Sequence, residues 1–259
     1  MSETVLVARD GAIATVTLNA PEKLNALDLA TWTKLGEAIA ALSADDSFRC
    51  VILRGAGDKA FAAGADISEF STARKNSKIS KVYGERVAAA MQAVMDCRHP
   101  TVALIRGACV GGGLEVAACC DIRICGETSR FGVPIKRLGL VMAHGELSKL
   151  VALVGRAAAL EILLEGRVFG AAEAKEKGLV TRIVPDAEVE KEAYAAARRI
   201  AEGAPLAARW HKKFINRLLD PRPWSEAEKD EGFACYDTED FQEGVEAFLA
   251  KRDPAFKGR

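Results

Sequence analysis

The sequence predicts an α/β fold in which a core of mixed strands and helices is followed by an all-helical region. Two observations carry this prediction. Over residues 1–185 short apolar strands alternate with amphipathic helices, and the order strand–strand–helix recurs. Beyond Pro185 four helical segments follow one another without a strand pattern between them. We therefore predict a core of stacked ββα turns over 1–185 and a helical region over 186–259.

The individual elements follow from local patterns. Strands at 5–8 and 13–18 flank a short polar segment with a glycine, which is typical of a hairpin. Asp28 is placed to cap a helix whose apolar stripe begins at Trp32. Downstream, the core is predicted to contain strands at 51–54, 101–105, 122–125 and 180–184, apolar or extended segments at 61–67, 131–134 and 168–169, and helices at 78–97, 112–120, 146–154, 157–165 and 171–177. The helical region is predicted to contain helices at 188–202, 206–219, 225–236 and 241–251.

The composition argues against several classes of protein. Lys plus Arg and Asp plus Glu number 36 each, so the net charge is zero and a general nucleic-acid-binding protein is not expected. No apolar run is long enough to span a bilayer, and the charged N-terminus lacks the layout of a signal peptide. We therefore predict a cytoplasmic protein with neither a membrane nor a nucleic acid as its partner.

Cysteine and histidine usage argues against a metal site. The seven cysteines form no C-x-x-C pair, and the three histidines include no H-E-x-x-H motif. We predict that no metal ion is bound, and we interpret most cysteines as buried apolar side chains with reduced thiols.

The run Gly111-Gly112-Gly113-Leu114-Glu115 carries the strongest chemical signal. It follows the strand at 101–105 and opens a helix of small residues. A helix start without side chains leaves backbone N–H groups free to meet an anion, and Glu115 shares the face of those donors. Because its neighbours are apolar, we expect Glu115 to be buried with a raised pKa that suits proton transfer near neutral pH. The run therefore predicts chemistry at a carbonyl whose oxygen becomes negative.

A second glycine loop, at residues 62–67, also follows a strand and precedes a helix. If the two strands are neighbours, the N–H groups of Ala65 and Gly112 converge on one point and form an oxyanion hole. Neither loop matches G-x-G-x-x-G or G-x-x-x-x-G-K-[ST], so dinucleotide and nucleoside-triphosphate fingerprints are absent.

Over essentially its full length the sequence resembles the enoyl-CoA hydratase/isomerase (crotonase) superfamily. The matching blocks are PEKLNAL at 21–27, FAAGADI at 61–67, IRGACVGGGLEVAACCDI at 105–122, AAEAKEKGLV at 171–180 and TEDFQEGVEAFLAKRDPAFKGR at 238–259. The resemblance implies a spiral of ββα turns, a C-terminal helical trimerisation region, and a homotrimer or dimer of trimers. It also implies an acyl-CoA thioester substrate and no separate cofactor, because coenzyme A is part of the substrate.

The resemblance also implies roles for single residues. Ala65 and Gly112 match the two oxyanion-hole donors, and Glu115 matches the first of two catalytic glutamates. Substrate and CoA contacts are implied for Lys23, Ala63, Asp66, Ile67, Ser68, Phe248 and Lys251, the last two from a neighbouring subunit. For Asp66 a role as a backbone cap is an equal alternative.

The sequence departs from the family pattern at the second glutamate, where Ile135 follows Pro134. Isoleucine cannot transfer a proton. With one carboxylate, Glu115 itself activates the water and then returns the proton; alternatively, a second acid comes from elsewhere, and the nearest candidates are Glu146 and His144. Both also have structural interpretations, Glu146 as a helix N-terminal residue favoured by the dipole and His144 as a loop residue.

We predict from these features a lyase that adds water reversibly to a 2-enoyl-CoA thioester through a stabilised enolate. One alternative is an enoyl-CoA isomerase, or another CoA-thioester reaction through the same enolate, such as decarboxylation or thioester hydrolysis. The other is a catalytically inactive acyl-CoA-binding protein. Turnover of an enoyl-CoA separates the first two classes from the third.

Overall fold

A computed structural model describes residues 3–259 and contains two β-sheets. The first has six strands in the order β1 (Val5–Asp10), β2 (Ile13–Leu18), β3 (Cys50–Gly55), β5 (Thr101–Ile105), β7 (Ile122–Gly126) and β10 (Arg182–Val184). The second has four, in the order β4 (Ala60–Ala62), β6 (Ala108–Val110), β8 (Arg130–Gly132) and β9 (Phe169–Gly170). Apart from the antiparallel pairs β1–β2 and β8–β9, neighbouring strands are parallel.

Helices follow the strand pairs in a repeating order. They are α1 (Leu29–Ala44), α2 (Phe70–Ala73), α3 (Ser77–Asp96), α4 (Gly112–Cys119), α5 (His144–Glu165), α6 (Ala171–Glu176), α7 (Val189–Glu202), α8 (Pro205–Arg217), α9 (Glu226–Glu231) and α10 (Glu239–Ala250). The pairs β3–β4, β5–β6 and β7–β8 each place one strand in each sheet before the chain enters helices. This order confirms the predicted α/β fold and its ββα turns.

Two details of the prediction are wrong. The glycine run at 111–113 follows β6 of the second sheet, and β6 was not predicted because it is only three residues long. The chain reaches β6 through Gly107, which has a φ of +62° and lies so close to Lys59 that a Cβ would meet its carbonyl oxygen at 2.0 Å. The helix predicted at 225–236 is in fact α9 followed by a separate 3₁₀ turn, Ala234–Asp237.

Other local signals are confirmed. The Asp28 carboxylate accepts a hydrogen bond from the Thr31 N–H at 2.7 Å, as a helix N-cap does. Gly155, with φ 74° and ψ 167°, interrupts the helical backbone of α5. Such a conformation favours glycine, and it explains why the sequence separates two helical segments at this point.

Hydrophobic packing covers both faces of the six-stranded sheet. On one face the core includes the fully buried Trp32 of α1 and Phe61 of β4. On the other, Val189 and Ala193 of α7 pack against a cluster that contains Ile52. The first long helix of region 186–259 therefore lies on the sheet, and the division at residue 185 stays a prediction about chain organisation.

All seven cysteines are free, and six of them are buried. Burial raises the pKa of the Cys50, Cys119 and Cys125 thiols to about 12, because an apolar environment disfavours the thiolate. Cys235, beside α10, is partly exposed.

Within residues 3–259 no helix is both long and apolar enough to cross a bilayer.

Candidate active site

Two loops follow the same ends of neighbouring strands in the four-stranded sheet and lie side by side. β4 and β6 are parallel neighbours, so the segment after Ala62 and the segment after Val110 emerge together. At Gly64 an added Cβ would lie 3.3 Å from the Val110 carbonyl oxygen and 3.7 Å from the Gly112 nitrogen. The strands that precede the two loops are therefore neighbours, which is the condition for the convergence predicted from the sequence. We call residues 62–65 and 111–113 the donor wall.

The donor wall carries two free N–H groups. Leu27 N donates to the Gly64 carbonyl at 2.8 Å, and Asp66 N donates to the Leu27 carbonyl at 2.9 Å, which holds the backbone on both sides of Ala65. Among residues 3–259, neither Ala65 N nor Gly112 N donates to any acceptor. A Cβ at Gly112 would be 3.6 Å from the Ala65 nitrogen, so the two donors are close together. This arrangement can hold an anionic oxygen.

Close approach explains the glycines of this wall. A Cβ at Gly113 would lie 2.2 Å from the Ala62 carbonyl oxygen, a backbone atom that cannot yield. Gly111 has a φ of +52°, a backbone conformation that residues with a side chain rarely adopt. A Cβ at Gly112 would meet the Trp32 ring at 3.0 Å. The run therefore brings the start of α4 against the neighbouring loop.

A cavity of about 130 Å³ lies against the donor wall. It is lined by Trp32, Ala63, Gly64, Ala65, Ile67, Phe70, Arg74, Val110, Gly111, Gly112, Glu115, Pro134, Ile135, Leu138, Leu140, Val141, Met142 and Glu146. Ligand pockets are commonly about 300–1,000 Å³, so this space suits a small group, such as a short acyl chain, and not a nucleotide.

Glu115 lies in the first turn of α4 and faces this cavity. Burial raises its pKa to about 8, the negative charge of Glu146 adds to the rise, and the positive charge of Arg74 opposes it. The carboxyl group is therefore mostly protonated near neutral pH and can donate a proton. The Glu115 side chain is half-buried, and its raised pKa agrees with the expectation, whereas its part in proton transfer stays a prediction.

Glu146 lies on the cavity as well, near the start of α5. Its Oε2 accepts a hydrogen bond from the Ala143 N–H at 2.7 Å, so it also serves the helix start as the sequence suggested. Burial raises its pKa, and the hydrogen bond from Ala143 and the charge of Arg74 oppose the rise. The structure thus brings Glu146 together with Glu115, whereas His144 is exposed and does not line the cavity.

Ile135 takes part in the cavity as an apolar side chain. It lies in the 3₁₀ helix Pro134–Leu138 and packs against the main core. Leu138, Leu140 and Met142 continue this surface. We call Ile135, Arg74, Glu115 and Glu146 the acid wall. These four side chains determine the charge of the cavity and the groups in it that can transfer protons.

Sequence reasoning missed Arg74. Its guanidinium carbon lies 4.0 Å from the centre of the Tyr83 ring and 4.8 Å from that of Phe70. A cation between two aromatic faces is held by cation–π attraction. The available signal was the spacing of Phe70 and Arg74, four residues apart in a helical segment.

The remaining predicted contact residues have mixed positions. Lys23 Nζ pairs with Asp66 Oδ2 at 2.9 Å, and Asp66 Oδ1 accepts hydrogen bonds from the Ser68 N–H and hydroxyl at 2.9 and 2.6 Å. These contacts hold the pKa of Asp66 at about 2, with the Ser68 hydroxyl the largest cause. Asp66 therefore acts as a cap of the turn beginning at Ile67, and its contact with substrate stays a prediction.

Ala63 and Ile67 line the cavity, and Ile67 is 60% exposed at its mouth. Phe248 and Lys251 lie at the end of α10 and do not line it. Phe248 is 83% exposed, and its contact with CoA from a neighbouring subunit stays a prediction. Among residues 3–259, no group of three or more metal-ligating side chains is arranged to hold an ion.

Comparisons with known proteins agree with this geometry. A family model described as Enoyl-CoA hydratase/isomerase matches residues 8–259. A probable enoyl-CoA hydratase of Rhizobium meliloti is 37% identical, with 99% of each chain covered, and a short-chain-enoyl-CoA hydratase of Clostridium acetobutylicum is 34% identical, with 98% of each covered. The crystal structure of an enoyl-CoA hydratase/carnithine racemase from Magnetospirillum magneticum is 52% identical, covers 100% of this chain and 97% of its own, and superposes with a TM-score of 0.98. The chain belongs to the enoyl-CoA hydratase/isomerase family.

Proposed function

We propose that this protein is an enoyl-CoA hydratase, a lyase that adds water reversibly to a 2-enoyl-CoA thioester. One observation carries the proposal: the two free N–H groups of Ala65 and Gly112 face the same small cavity as Glu115. Addition of water to an enoyl thioester forms an enolate, which needs both an oxyanion site and proton transfer. The names of the relatives given above support the same reaction class.

In the proposed mechanism the thioester oxygen accepts hydrogen bonds from Ala65 N and Gly112 N. Glu146, as a carboxylate, takes a proton from water while the water oxygen bonds to C3. The electron pair of the C2–C3 double bond moves toward the thioester, and its oxygen becomes the enolate anion. Glu115, protonated near neutral pH, then gives its proton to C2. The product is a 3-hydroxyacyl-CoA, and the two carboxyl groups exchange protons with solvent before the next cycle.

The choice of Glu146 as the second acid rests on its position. By resemblance, Ile135 stands where the family carries its second glutamate, and an isoleucine side chain cannot accept the water proton. Glu146 is the other carboxyl group among the described lining residues. The exposed His144 is not assigned a role.

The proposal is tested with crotonyl-CoA by loss of enoyl-thioester absorbance and by product mass. Glu115→Gln should lower kcat by about 10²–10⁴-fold, because it removes the proton transferred to C2. Glu176→Gln, an exposed glutamate on α6, is the matched control and should leave kcat unchanged. The wild-type kcat/KM should fall as pH rises through about 8, where Glu115 loses its proton.

Three results would contradict the hydratase assignment. A product of unchanged mass with a shifted double bond would indicate an isomerase, which a single carboxyl group can support. Release of free CoA or CO₂ would indicate thioester hydrolysis or decarboxylation. Binding of CoA thioesters without turnover of any of them would indicate an acyl-CoA-binding protein.

The proposal extends to assembly and compartment. We expect a homotrimer or a dimer of trimers, because large apolar side chains of the helical region are exposed in the single chain, among them Phe248 (83%) and Leu249 (76%). A cavity of about 890 Å³ between the end of α3 and helices α8 and α9 adds to this unpartnered surface. Seven free thiols fit a reducing cytoplasm. Light scattering checks the assembly, and a monomer would contradict it.

A further inference from the structure

Arg74 is a charged residue to which the proposed hydration mechanism assigns no contact with the substrate. It lines the acyl cavity and is the single cation among the described residues that do so. Phe70 and Tyr83 fix its guanidinium by their rings, so its direction is set by packing. The aromatic faces hold the guanidinium by cation–π attraction, and the Tyr83 hydroxyl donates its own hydrogen bond to the Leu27 carbonyl at 3.4 Å.

The guanidinium has no protein counter-ion. None of the ion pairs formed within residues 3–259 includes Arg74. Its Nε is buried and has no hydrogen-bond partner there. Buried donors are normally paired, and an unpaired charged one is costly, so a partner from outside the chain is expected.

The neighbouring carboxyl groups do not remove this need. Glu115 is largely neutral near pH 7 because burial disfavours its charged form. The Glu146 carboxylate accepts its hydrogen bond from the Ala143 N–H and forms no ion pair with Arg74. The cavity is therefore lined both by a guanidinium without an ion pair and by two free N–H donors. A ligand that places a carbonyl oxygen at the donor wall and an anion at Arg74 satisfies both.

We propose that Arg74 binds a carboxylate at the far end of the acyl chain, so that the substrate is the CoA thioester of a short dicarboxylic acid. The planar guanidinium presents paired N–H donors that match a carboxylate. The volume of about 130 Å³ limits the chain between the thioester and this carboxylate to a few carbons. The inference rests on the proposed thioester chemistry, and it specifies that the acyl group of the substrate is negatively charged.

Binding of unreactive ligands tests the inference apart from turnover. Glutaryl-CoA and pentanoyl-CoA are saturated and differ by a terminal carboxylate in place of a methyl group. Calorimetry with the wild-type protein should give a Kd for glutaryl-CoA about tenfold or more below that for pentanoyl-CoA, as for a charge-assisted hydrogen bond. Equal affinities would overturn the inference, whatever any variant does.

Variants then locate the preference. Arg74→Gln should abolish the preference for glutaryl-CoA by weakening the binding of that ligand alone. Arg74→Lys should retain part of the preference, because lysine keeps the positive charge but lacks the paired N–H donors of the guanidinium. Arg86→Gln, an exposed arginine on α3, is the matched control and should keep the full preference. Thermal unfolding checks that each variant is folded. Equal weakening of both ligands by Arg74→Gln would mean that Arg74 only shapes the cavity or tunes the glutamates, and would overturn the assignment.

Turnover separates the two proposals. Glutaconyl-CoA and 2-pentenoyl-CoA are the matching unsaturated pair, and the wild type should hydrate the first with a kcat/KM about tenfold or more higher. If neither is hydrated while the glutaryl-CoA preference holds, the proposed reaction fails and the anion site stands. If both are hydrated at equal kcat/KM, the reaction stands and the anion site fails.

Discussion

The donor wall and the acid wall line the same cavity, yet they are held in place by different means. Backbone contacts position the donor wall, where Gly113 leaves no room for a Cβ and Leu27 holds the chain on both sides of Ala65. The acid wall is formed by side chains from α4, α5 and a 3₁₀ turn and by the residue that follows α2, and they meet only through tertiary packing. The close backbone contacts of the donor wall leave no room for a larger residue. In the acid wall, by contrast, a single substitution can change which group transfers a proton or carries a charge.

The largest expected effect comes from breaking the donor wall. Gly113→Ala places a Cβ 2.2 Å from the Ala62 carbonyl oxygen, so one loop must move and the two N–H groups separate. Because loss of one oxyanion donor costs about 10²–10³-fold in kcat, we expect a loss at least this large in crotonyl-CoA hydration.

Gly84→Ala is the matched control for that change. It lies in α3 with nothing within 4 Å of the added Cβ, and it should raise stability by about 0.5–1 kcal/mol at unchanged kcat. Full activity of Gly113→Ala would show that the donor wall adapts and would remove the contrast between the two walls.

The next largest effect concerns the second acid. Glu146→Gln should lower kcat for crotonyl-CoA by about 10²-fold and remove the low-pH limb of the rate profile, because the group that accepts the water proton is gone. His144→Ala should leave both unchanged, since this side chain is exposed outside the cavity. The opposite pattern would transfer the role to His144.

The pH dependence of stability tests the burial of Glu115. The pKa of Glu115 is about 8 in the folded protein and 4.5 ordinarily. The protonated carboxyl group therefore contributes to the free energy of unfolding in full below pH 4.5, and this contribution is lost as pH rises through 8. The loss is on the order of 5 kcal/mol. Glu115→Gln carries no such proton, and its Tm relative to wild type should therefore rise between about pH 5 and about pH 9. A constant difference in Tm would mean that water reaches this carboxyl group freely.

The smallest effect is expected at the edge of the donor wall. Asp66→Ala removes the cap of the turn at Ile67 and the ion pair with Lys23, and should cost about 1 kcal/mol in unfolding free energy. Because Asp66 lies beside Ala65, KM for crotonyl-CoA should rise more than kcat falls. Chemical denaturation and steady-state kinetics measure the two effects, and a large loss of kcat would give Asp66 a direct part in the reaction.

The two walls also differ in how far the sequence predicts them. Glycine runs at strand ends are local signals, so the donor wall, the position of Glu115 and the order of ββα turns follow from short segments. Strand β6 was missed because three residues carry too little pattern. Arg74 was missed because its role depends on Phe70, Tyr83 and Glu115 meeting in space. The sequence identified Glu146 only as one candidate, since its distance from Glu115 is set by the packing of α4 and α5.

The buried thiols described with the fold have a practical consequence for all of these experiments. The thiolate is the reactive form of cysteine, and burial raises the pKa of the Cys50, Cys119 and Cys125 thiols far above neutrality. Cys235 is the one cysteine with appreciable exposure. A maleimide fluorophore should therefore attach there alone in the folded protein, beside α10, and report on assembly without any engineered cysteine.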